Sequence, residues 1–305
     1  MAARRKPPWL KRPVPRAAPV RRMEGLLREH DLHTVCEAAL CPNRGTCFER
    51  GTATFLIMGD VCTRACGFCG VGHGVPAGLD PGEPAQVADV AARLGLSHVV
   101  VTSVSRDDLP DGGAAHYAAT LKAIRRRSPE ASVEVLVPDF GGRRESVKLV
   151  LTERPEVFNH NVETIARLYP AARPQADYRR SLEVLRTAAG QGTSVVKTGC
   201  MVGLGETEAE MKALLEEVSA MGVNVITIGQ YLQPTRANLA VAEYVSPETF
   251  GRYQGWGEAM GLQVHAAPLV RSSFEARESY LRASVGRQIL RSRDTISRTY
   301  GGLTG

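Results

Sequence analysis

Three closely spaced cysteines are the residues of this sequence best suited to chemistry. Cys62, Cys66 and Cys69 stand in CTRACGFC, a C-x3-C-x2-C pattern directly after an apolar run. Short-range sets of thiolates hold iron–sulfur clusters, and three thiolates leave the fourth iron of a [4Fe–4S] cluster open to a small-molecule ligand. Zinc is the alternative, but zinc motifs usually come as paired C-x2-C knuckles. Phe68 could shield such a cluster, stack on a cofactor or simply pack in the core.

A second set of three cysteines precedes the first. Cys36, Cys41 and Cys47 stand in CEAALCPNRGTC, with the looser spacing C-x4-C-x5-C. Beside the first set, this pattern predicts a second three-thiolate site that is also one ligand short. A fourth ligand other than a thiolate would make that iron easier to release. Cys200, in KTGCMVG, lies outside both sets and is expected to be an inert buried cysteine.

Composition limits the class of protein. The chain of 305 residues is 43% hydrophobic and 23% charged, which suits a folded core and excludes disorder as a whole. No apolar run approaches the ~18 residues that cross a bilayer, and no secretory signal is evident. Six of the seven cysteines fall within residues 36–69, too clustered for a disulfide framework. We therefore expect a cytoplasmic protein that needs no membrane.

The positive charge lies at the two ends. Residues 1–22 hold eight Lys and Arg and no acidic residue, whereas residues 23–274 hold 24 basic against 29 acidic residues. Basic ends on an acidic body suggest docking to an acidic partner or nucleic acid, or merely solvated tails. Five prolines in residues 1–22 favour an extended arm, followed by a short helix at Met23–His33 and an irregular loop to Cys47.

Beyond this region, apolar runs alternate with helical patterns, which predicts a parallel sheet with helical crossovers. The predicted strands are Ala53–Gly59, His98–Val104, Val133–Val137, Val157–His160, Ser194–Met201, Val225–Gly229 and Val264–Val270. The predicted helices include Pro84–Leu94, Ala115–Arg127, Tyr178–Ala189 and Glu208–Met221. Polar residues gather after the strands, where α/β barrels place their active sites, so we favour a partial barrel over a doubly wound sheet.

Several of these strand-end residues could contact a polar cofactor, or could equally cap helices. They are Thr102, Ser103, Asn161, Glu163 and Lys197. A tight turn is expected at Gly203-Leu204-Gly205.

The motifs resemble those of a known family. C-x3-C-x2-C is the signature of radical S-adenosylmethionine (radical SAM) enzymes, and the upstream C-x4-C-x5-C is that of lipoyl synthases. Similar segments run in order over residues ~6–274, among them KPPWLKRP, VVVTSVSRDDLPDGG, VFNHNVET, RPQADY, TIGQYLQPTR and PLVRSSF.

The resemblance implies a partial (β/α)6 TIM-type barrel with an N-terminal cluster-binding extension and a C-terminal tail. A [4Fe–4S] cluster on Cys62, Cys66 and Cys69 would bind SAM and give it an electron that cleaves the sulfonium. The 5′-deoxyadenosyl radical formed in this way would abstract hydrogen from an unactivated carbon. A second, auxiliary [4Fe–4S] cluster on the upstream cysteines would be consumed as it gives sulfur to carbons 6 and 8 of an octanoyl chain. That chain is amide-linked to a lysine of a lipoyl carrier domain.

The resemblance also implies the missing auxiliary ligand and the partners. The family's ligand is a serine of an Arg-Ser-Ser motif, here Arg271-Ser272-Ser273; we place it on Ser273, with Ser272 as the alternative. Expected partners are octanoylated carriers (2-oxoacid dehydrogenase E2 subunits and glycine cleavage H protein), an electron donor such as ferredoxin or flavodoxin, and an iron–sulfur carrier. No nucleic-acid partner is expected.

This chain departs from the family pattern at Gly67, Gly70, Cys200 and Phe274, none of which removes a ligand. We divide the chain into an arm and auxiliary-cluster segment at 1–50, the barrel at 51–274 and a basic tail at 275–305. Two other readings remain open: a methylthiotransferase acting on RNA or protein, and an electron-transfer or structural metal protein with a nucleic-acid arm.

Overall fold

The computed structural model describes residues 5–11, 17–49, 53–273 and 275–285. Its strands are β1 (His33–Thr34), β2 (Thr54–Ile57), β3 (Val61–Cys62), β4 (Gly72–His73), β5 (His98–Ser103), β6 (Ser132–Leu136), β7 (Val157–Asn159), β8 (Val195–Val202), β9 (Val225–Gln230) and β10 (Gln263–Ala266).

The helices lie mostly between these strands. They are α1 (Ala17–Glu29), α2 (Val35–Ala38), α3 (Arg44–Glu49), α4 (Glu83–Arg93), α5 (Ala114–Arg127), α6 (Arg144–Thr152), α7 (Tyr169–Ala172), α8 (Tyr178–Gln191), α9 (Glu208–Ala220), α10 (Pro247–Ala259) and α11 (276–285). Short 3-10 turns lie at Pro8–Leu10, Phe140–Gly142 and Ala166–Leu168.

Eight strands form one sheet in the order β1-β2-β5-β6-β7-β8-β9-β10. Only the β1–β2 pair is antiparallel within the described sheet, and every other neighbouring pair is parallel. Six strand–helix units, from β2–α4 to β9–α10, precede the seventh parallel strand β10. Residues of β2, β5, β6, β8 and β9 line one cavity, so the sheet curls around it. The predicted partial barrel is confirmed.

Burial of the strands and capping of the helices explain why the sequence folds in this way. The strands are continuous apolar runs because helices cover the outer face of the sheet and the inner face lines the barrel interior. Helix α9 begins with a capping box, in which Thr207 and Glu210 each bind the other's backbone N–H. Helix α8 ends at Gly192 in the left-handed conformation. Helices α6 and α10 also lie between strands, as the predicted alternation of strands and helices requires.

The N-terminal region differs from the prediction in two places. Helix α1 begins at Ala17 rather than Met23, with Pro19 in its first turn. The extended arm predicted for 1–22 is therefore wrong for 17–22, because proline is tolerated where the first-turn N–H groups have no intrahelical partner. The loop predicted before Cys47 is also wrong, since it contains the short helices α2 and α3.

The C-terminal segment crosses the barrel from one end to the other. Ser272 bonds Asn161, which follows β7, whereas Ala283 packs against the first residues of three strands, Val157, Val195 and Val225. Helix α11 therefore covers the floor of the barrel, at the N-terminal ends of the strands.

Among the described residues, no helix combines the length and the apolar composition that a bilayer crossing needs.

The backbone of Val270 approaches Gly229 closely, and this contact fixes the start of residues 270–273, which include the Arg-Ser-Ser motif. A Cβ built on this β9 residue would collide with the backbone carbonyl of Val270. We expect Gly229→Ala to push residues 270–273 away from the barrel and to lower the free energy of unfolding by about 1–3 kcal/mol, as overpacking usually does. Urea unfolding measures the loss, and Gly251→Ala, where a Cβ meets nothing within 4 Å, is the control. Equal stability of both variants would contradict this packing.

Candidate active site with two thiol sets

All six motif cysteines line a single cavity of about 550 Å³ at the C-terminal ends of the strands. Chain segments far apart in sequence meet there, including Lys6 of the arm and Ser273 of the C-terminal segment. Both sets were predicted to ligate clusters, and the fold brings both to one space.

The first thiol set lies in the loop after β2. Cys62 ends β3, and its sulfur accepts hydrogen bonds from the backbone N–H groups of Ser105 (3.3 Å) and Arg64 (3.4 Å). The sulfur of Cys69 accepts one from Val71 N–H (3.4 Å). Burial raises the pKa of Cys69 to about 12. The Cys69 thiol therefore stays protonated until a metal displaces the proton.

The loop between β9 and α10 also holds the first thiol set in place. Asn238 Nδ2 donates to the backbone carbonyl of Cys69 at 2.8 Å, and Leu239 N–H donates to that of Gly67 at 2.8 Å. The side chain of Leu239 packs so closely on Gly67 that a Cβ there would stand 3.0 Å from it. The departure to Gly67 thus has a structural reason in this chain.

The second thiol set is carried by the two short helices. Cys36 lies on α2, Cys47 on α3 and Cys41 in the turn between them. Burial raises the pKa of Cys36 to about 12. Asn43 Nδ2 in this turn donates to the carbonyl of Leu269 at 2.7 Å, which ties the set to the C-terminal segment.

The two serines of the Arg-Ser-Ser motif have different surroundings. Asn161 Nδ2 donates to Ser272 Oγ at 2.7 Å, and this hydroxyl donates back to Asn161 Oδ1 at 3.0 Å. Ser273 lines the main cavity and also an adjoining one of about 320 Å³, and Cys36 and Cys47 line both as well. Ser273 is therefore the serine beside the second thiol set.

The donor set fits iron–sulfur clusters better than a single ion. Among the described residues, no three His, Cys, Asp or Glu side chains converge tightly enough to hold one metal ion. A [4Fe–4S] cluster binds each thiolate to a different iron, so its ligands line a wider cradle. Three thiols in each set, around one shared cavity, match that requirement.

Most of the predicted cofactor contacts reach the cavity. Phe68, Thr102, Ser103, Asn161 and Glu163 all line it. Asn161 Nδ2 also donates to Glu163 Oε1 at 3.1 Å. Glu163 adopts φ +64°, a left-handed conformation that is uncommon outside glycine and that clusters at functional sites. Burial raises the pKa of this carboxyl, against the opposing field of Arg173.

Arg173, which sequence reasoning missed, is buried beside this group. Its Nη1 donates to the carbonyl of Asn161 (3.2 Å) and to Tyr169 Oη (3.3 Å), while its Nε has no hydrogen-bond partner among the described residues. The charge of Arg173 acts on both Cys66 and Glu163. Because a buried donor without a partner is costly, this nitrogen is suited to bind an anionic ligand group. Its presence in RPQADY was the available signal.

His160 also lines the cavity and has a polar atom without a hydrogen-bond partner among the described residues. Its Nδ1 lies 2.8 Å from the carbonyl of Val137, and Nε2 has no partner in the described structure. Burial, followed by the charge of Arg173, lowers its pKa to about 4. The imidazole is therefore neutral at physiological pH and available as a hydrogen-bonding group.

The prediction that Lys197 contacts the cofactor is wrong. Lys197 is the third residue of the eight-residue strand β8 and lies inside the barrel, below the cavity. Its Nζ bonds Glu134 Oε1 at 2.9 Å, and both side chains are 1% exposed. Burial alone would raise the pKa of Glu134, but Lys197 and His98 outweigh it and lower the pKa. A buried charge is stable only beside an opposite charge, so the Lys197 ammonium pairs with the Glu134 carboxylate. The sequence pattern did not show that β6 supplies this carboxylate.

Removing one charge of the Glu134–Lys197 pair is expected to lower stability more than removing both charges. Glu134→Gln should lower the free energy of unfolding by about 3–5 kcal/mol, because it leaves the Lys197 charge buried without a partner. The double variant Glu134→Gln/Lys197→Met should lose less, since neither charge remains. Urea unfolding of both proteins measures the difference. An equal loss in both variants would show that the pairing is not what stabilises this position.

Cys200 is 4% exposed and lies on the cavity wall. Burial raises its pKa far above that of an ordinary thiol. The predicted inert cysteine is confirmed in its burial, and it lies outside both thiol sets.

Comparisons with known proteins place this geometry in a family. The profile of the radical SAM superfamily matches residues 56–218. A lipoyl synthase of Rubrobacter xylanophilus is 52% identical over 275 residues, covering 90% of this chain and 86% of that protein. A lipoyl synthase of Thermus thermophilus is 50% identical over 285 residues, covering 92% and 88%.

Solved structures support the fold alone, because their sequences are distant. The hydrogenase maturase HydG matches with a TM-score of 0.58 at 16% identity, covering 75% of this chain and 53% of that one. Methylornithine synthase matches with a TM-score of 0.52 at 11% identity, covering 68% and 69%. With two thiol sets around one cavity of a partial barrel, and relatives near 50% identity over most of its length, the chain belongs to the lipoyl synthase family of radical SAM enzymes.

Proposed function

We propose that this enzyme inserts two sulfur atoms, at carbons 6 and 8, into an octanoyl chain attached to a lysine of a lipoyl carrier domain. The observation that supports this most directly is the shared cavity, which brings both thiol sets and Ser273 together. A cofactor site and a sulfur source must both reach the same alkyl chain, and one common space allows this.

Cys62, Cys66 and Cys69 would hold the cluster that binds SAM. The bound cofactor supplies a carbon radical that can abstract hydrogen from an unactivated C–H bond. Backbone N–H groups donate hydrogen bonds to the sulfurs of Cys62 and Cys69. These bonds would tune the reduction potential of such a cluster, because hydrogen bonds to the sulfurs help to set it.

The polar residues around the first set match the polar parts of SAM. Arg173 suits the carboxylate of the amino acid end, because it has a buried donor without a partner. Asn161 and Glu163 suit hydroxyl or ammonium donors, and Phe68 offers a ring face. Thr102 contributes less, because its hydroxyl already donates to the carbonyl of Leu136 at 2.9 Å.

The second thiol set and Ser273 would hold the cluster that serves as the sulfur substrate. A hydroxyl is a harder ligand than a thiolate, so the iron bound by Ser273 would be the easiest to release. Ser272 is less suited to this role, because its hydroxyl is engaged with Asn161. The chain thus supplies one weak ligand to a cluster that has to be taken apart.

The remaining cavity wall suits a hydrocarbon chain. The apolar residues that line it include Leu56, Val104, Leu136, Val137 and Met201. Apolar walls bind an alkyl chain and exclude water, which protects a radical from side reactions.

In this proposal, residues 1–50 bind the second cluster and dock the carrier, and residues 51–274 carry the radical chemistry. Residues 275–305 form a basic tail. Residues 1–22, with eight basic residues and no acidic one, would dock an acidic carrier such as an E2 subunit or H protein. A ferredoxin or flavodoxin would supply electrons, and an iron–sulfur carrier would rebuild the consumed cluster.

Mass spectrometry of an octanoyl-lysine peptide tests the function. The anaerobically reconstituted protein is mixed with SAM, a strong reductant and the peptide, and the peptide is expected to gain two sulfur atoms. Formation of 5′-deoxyadenosine with an unchanged peptide would mean that another substrate is used. If neither product forms in protein with both clusters intact, the proposed function is wrong.

A further inference from the structure

A buried arginine lies inside the first thiol set. Arg64 stands between Cys62 and Cys66, and its side chain is 4% exposed. Its Nε and Nη2 form two hydrogen bonds of 2.7 Å to the two carboxylate oxygens of Asp107. Nη2 also donates to Asp139 Oδ1 at 2.6 Å. One guanidinium therefore binds two carboxylates from different parts of the barrel.

The two carboxylates belong to the segments that follow β5 and β6. Asp139 is wholly buried and also accepts from Gly141 N–H at 3.0 Å and from Arg180 Nη1 at 3.4 Å. Burial alone would raise the pKa of Asp139, but Arg64 outweighs it and lowers the pKa to about 2. Asp139 is thus an ionised partner fixed in place by the adjoining structure.

A second contact ties the same loop to Asp107. Thr63 N–H and Oγ1 both donate to the carbonyl of Ser105, at 3.1 and 2.9 Å. Oγ1 also accepts from Asp107 N–H at 3.1 Å. Residues 62–64 are therefore held against 105–107 by backbone and side-chain hydrogen bonds from the protein itself.

We propose that Arg64 is a positioning residue that holds the Cys62, Cys66 and Cys69 loop in its ligating arrangement before a cluster is present. The bidentate pair with Asp107 and the bond to Asp139 fix the loop relative to two strand ends. A lysine could not replace it, because an ammonium lacks the planar fork that binds both oxygens of one carboxylate. A loop arranged in advance loses less conformational entropy when the cluster binds.

This inference rests on the proposed role of the first thiol set but not on the substrate, so its test uses the full-length chain without clusters. Under anaerobic reducing conditions, iodoacetamide labels the cysteines, and mass spectrometry follows each one over time. Cys36 and Cys41 in the same molecules are the internal reference. The probe needs no SAM and no peptide, so a failed sulfur-insertion assay would leave its result intact.

Asp107→Asn is the main variant, because the Asp107 side chain is 40% exposed and the change preserves its shape. We expect Cys62, Cys66 and Cys69 to be labelled several-fold faster than in the parent protein, with Cys36 and Cys41 unchanged. Arg64→Lys should act in the same direction. Asp89→Asn, which breaks the exposed pair with Arg127, is the matched control and should label like the parent.

A spectroscopic readout distinguishes positioning from general loosening. In the loaded and reduced protein, Asp107→Asn should broaden the electron paramagnetic resonance signal of the first cluster with SAM, and Asp107→Glu should partly restore it. Unchanged labelling of the first set in both Asp107→Asn and Arg64→Lys would overturn the proposal. Equal acceleration of both thiol sets would also overturn it, because it would mean that the variant loosens the whole fold.

Discussion

Cys41→Ala is expected to abolish sulfur insertion while leaving the reductive cleavage of SAM in place. Cys41 belongs to the second thiol set, which would hold the sulfur substrate, whereas the SAM-binding cluster would rest on the first set. Cys66→Ala should abolish both reactions, since it removes a ligand of that first cluster. Each lost reaction should fall by more than about 100-fold, because even outer-shell partners of metal ligands cost about 10–100-fold.

Chromatography of 5′-deoxyadenosine and mass spectrometry of the peptide measure the two reactions in one sample. Cys200→Ala is the control, because this thiol is buried and lies outside both sets, and it should retain both products. If Cys41→Ala stopped SAM cleavage as completely as Cys66→Ala, the division of work between the two sets would be wrong.

Ser273→Ala should strongly reduce sulfur insertion and preserve SAM cleavage, whereas Ser272→Ala should leave sulfur insertion in place. Ser273 shares the adjoining cavity with Cys36 and Cys47, while Ser272 bonds Asn161 beside the proposed cofactor site. We expect a loss of at least about 10-fold in sulfur insertion for Ser273→Ala, the scale of an altered metal environment. Ser272→Ala should mainly raise the KM for SAM.

The two serine variants are a matched pair of neighbours with the same change in volume. Iron analysis of both proteins accompanies the activity assays and shows whether the second cluster still assembles. Loss of sulfur insertion in Ser272→Ala but not in Ser273→Ala would move the ligand to Ser272 and contradict the assignment.

The thiol sets could be predicted from sequence because their ligands are close together in the chain. Cys62, Cys66 and Cys69 lie within eight residues, so their spacing alone indicates the kind of site. The repeated strand–helix pattern was equally readable, since each apolar run is buried on both faces of a parallel sheet. Both features depend on local order, which one sequence displays directly.

Partners distant in sequence could not be predicted in the same way. Arg64 bonds Asp107 and Asp139, which lie 43 and 75 residues away. Lys197 finds Glu134 across 63 residues, which is why a strand-end cofactor contact was the wrong expectation. In both cases the barrel fold, rather than local spacing, decides which opposite charge is near.

The helix boundaries at the N-terminus illustrate a third limit. A count of prolines argues against helix in 1–22, yet α1 starts at Ala17 and includes Pro19. Proline breaks a helix only where its missing N–H is needed, so its effect depends on the position within the helix. The starting residue of a helix is the least visible part of such a pattern.

The origin of the inserted sulfur is the most direct test of the account. The protein is reconstituted with heavy-isotope sulfide and freed of excess sulfide, and a single turnover is run anaerobically with SAM, reductant and the octanoyl-lysine peptide. We expect both sulfur atoms of the product to carry the heavy isotope, with no more than one lipoyl group formed per chain. Unlabelled sulfur in the product, or several turnovers without loss of the second cluster, would contradict the claim that Cys36, Cys41, Cys47 and Ser273 hold the sulfur substrate.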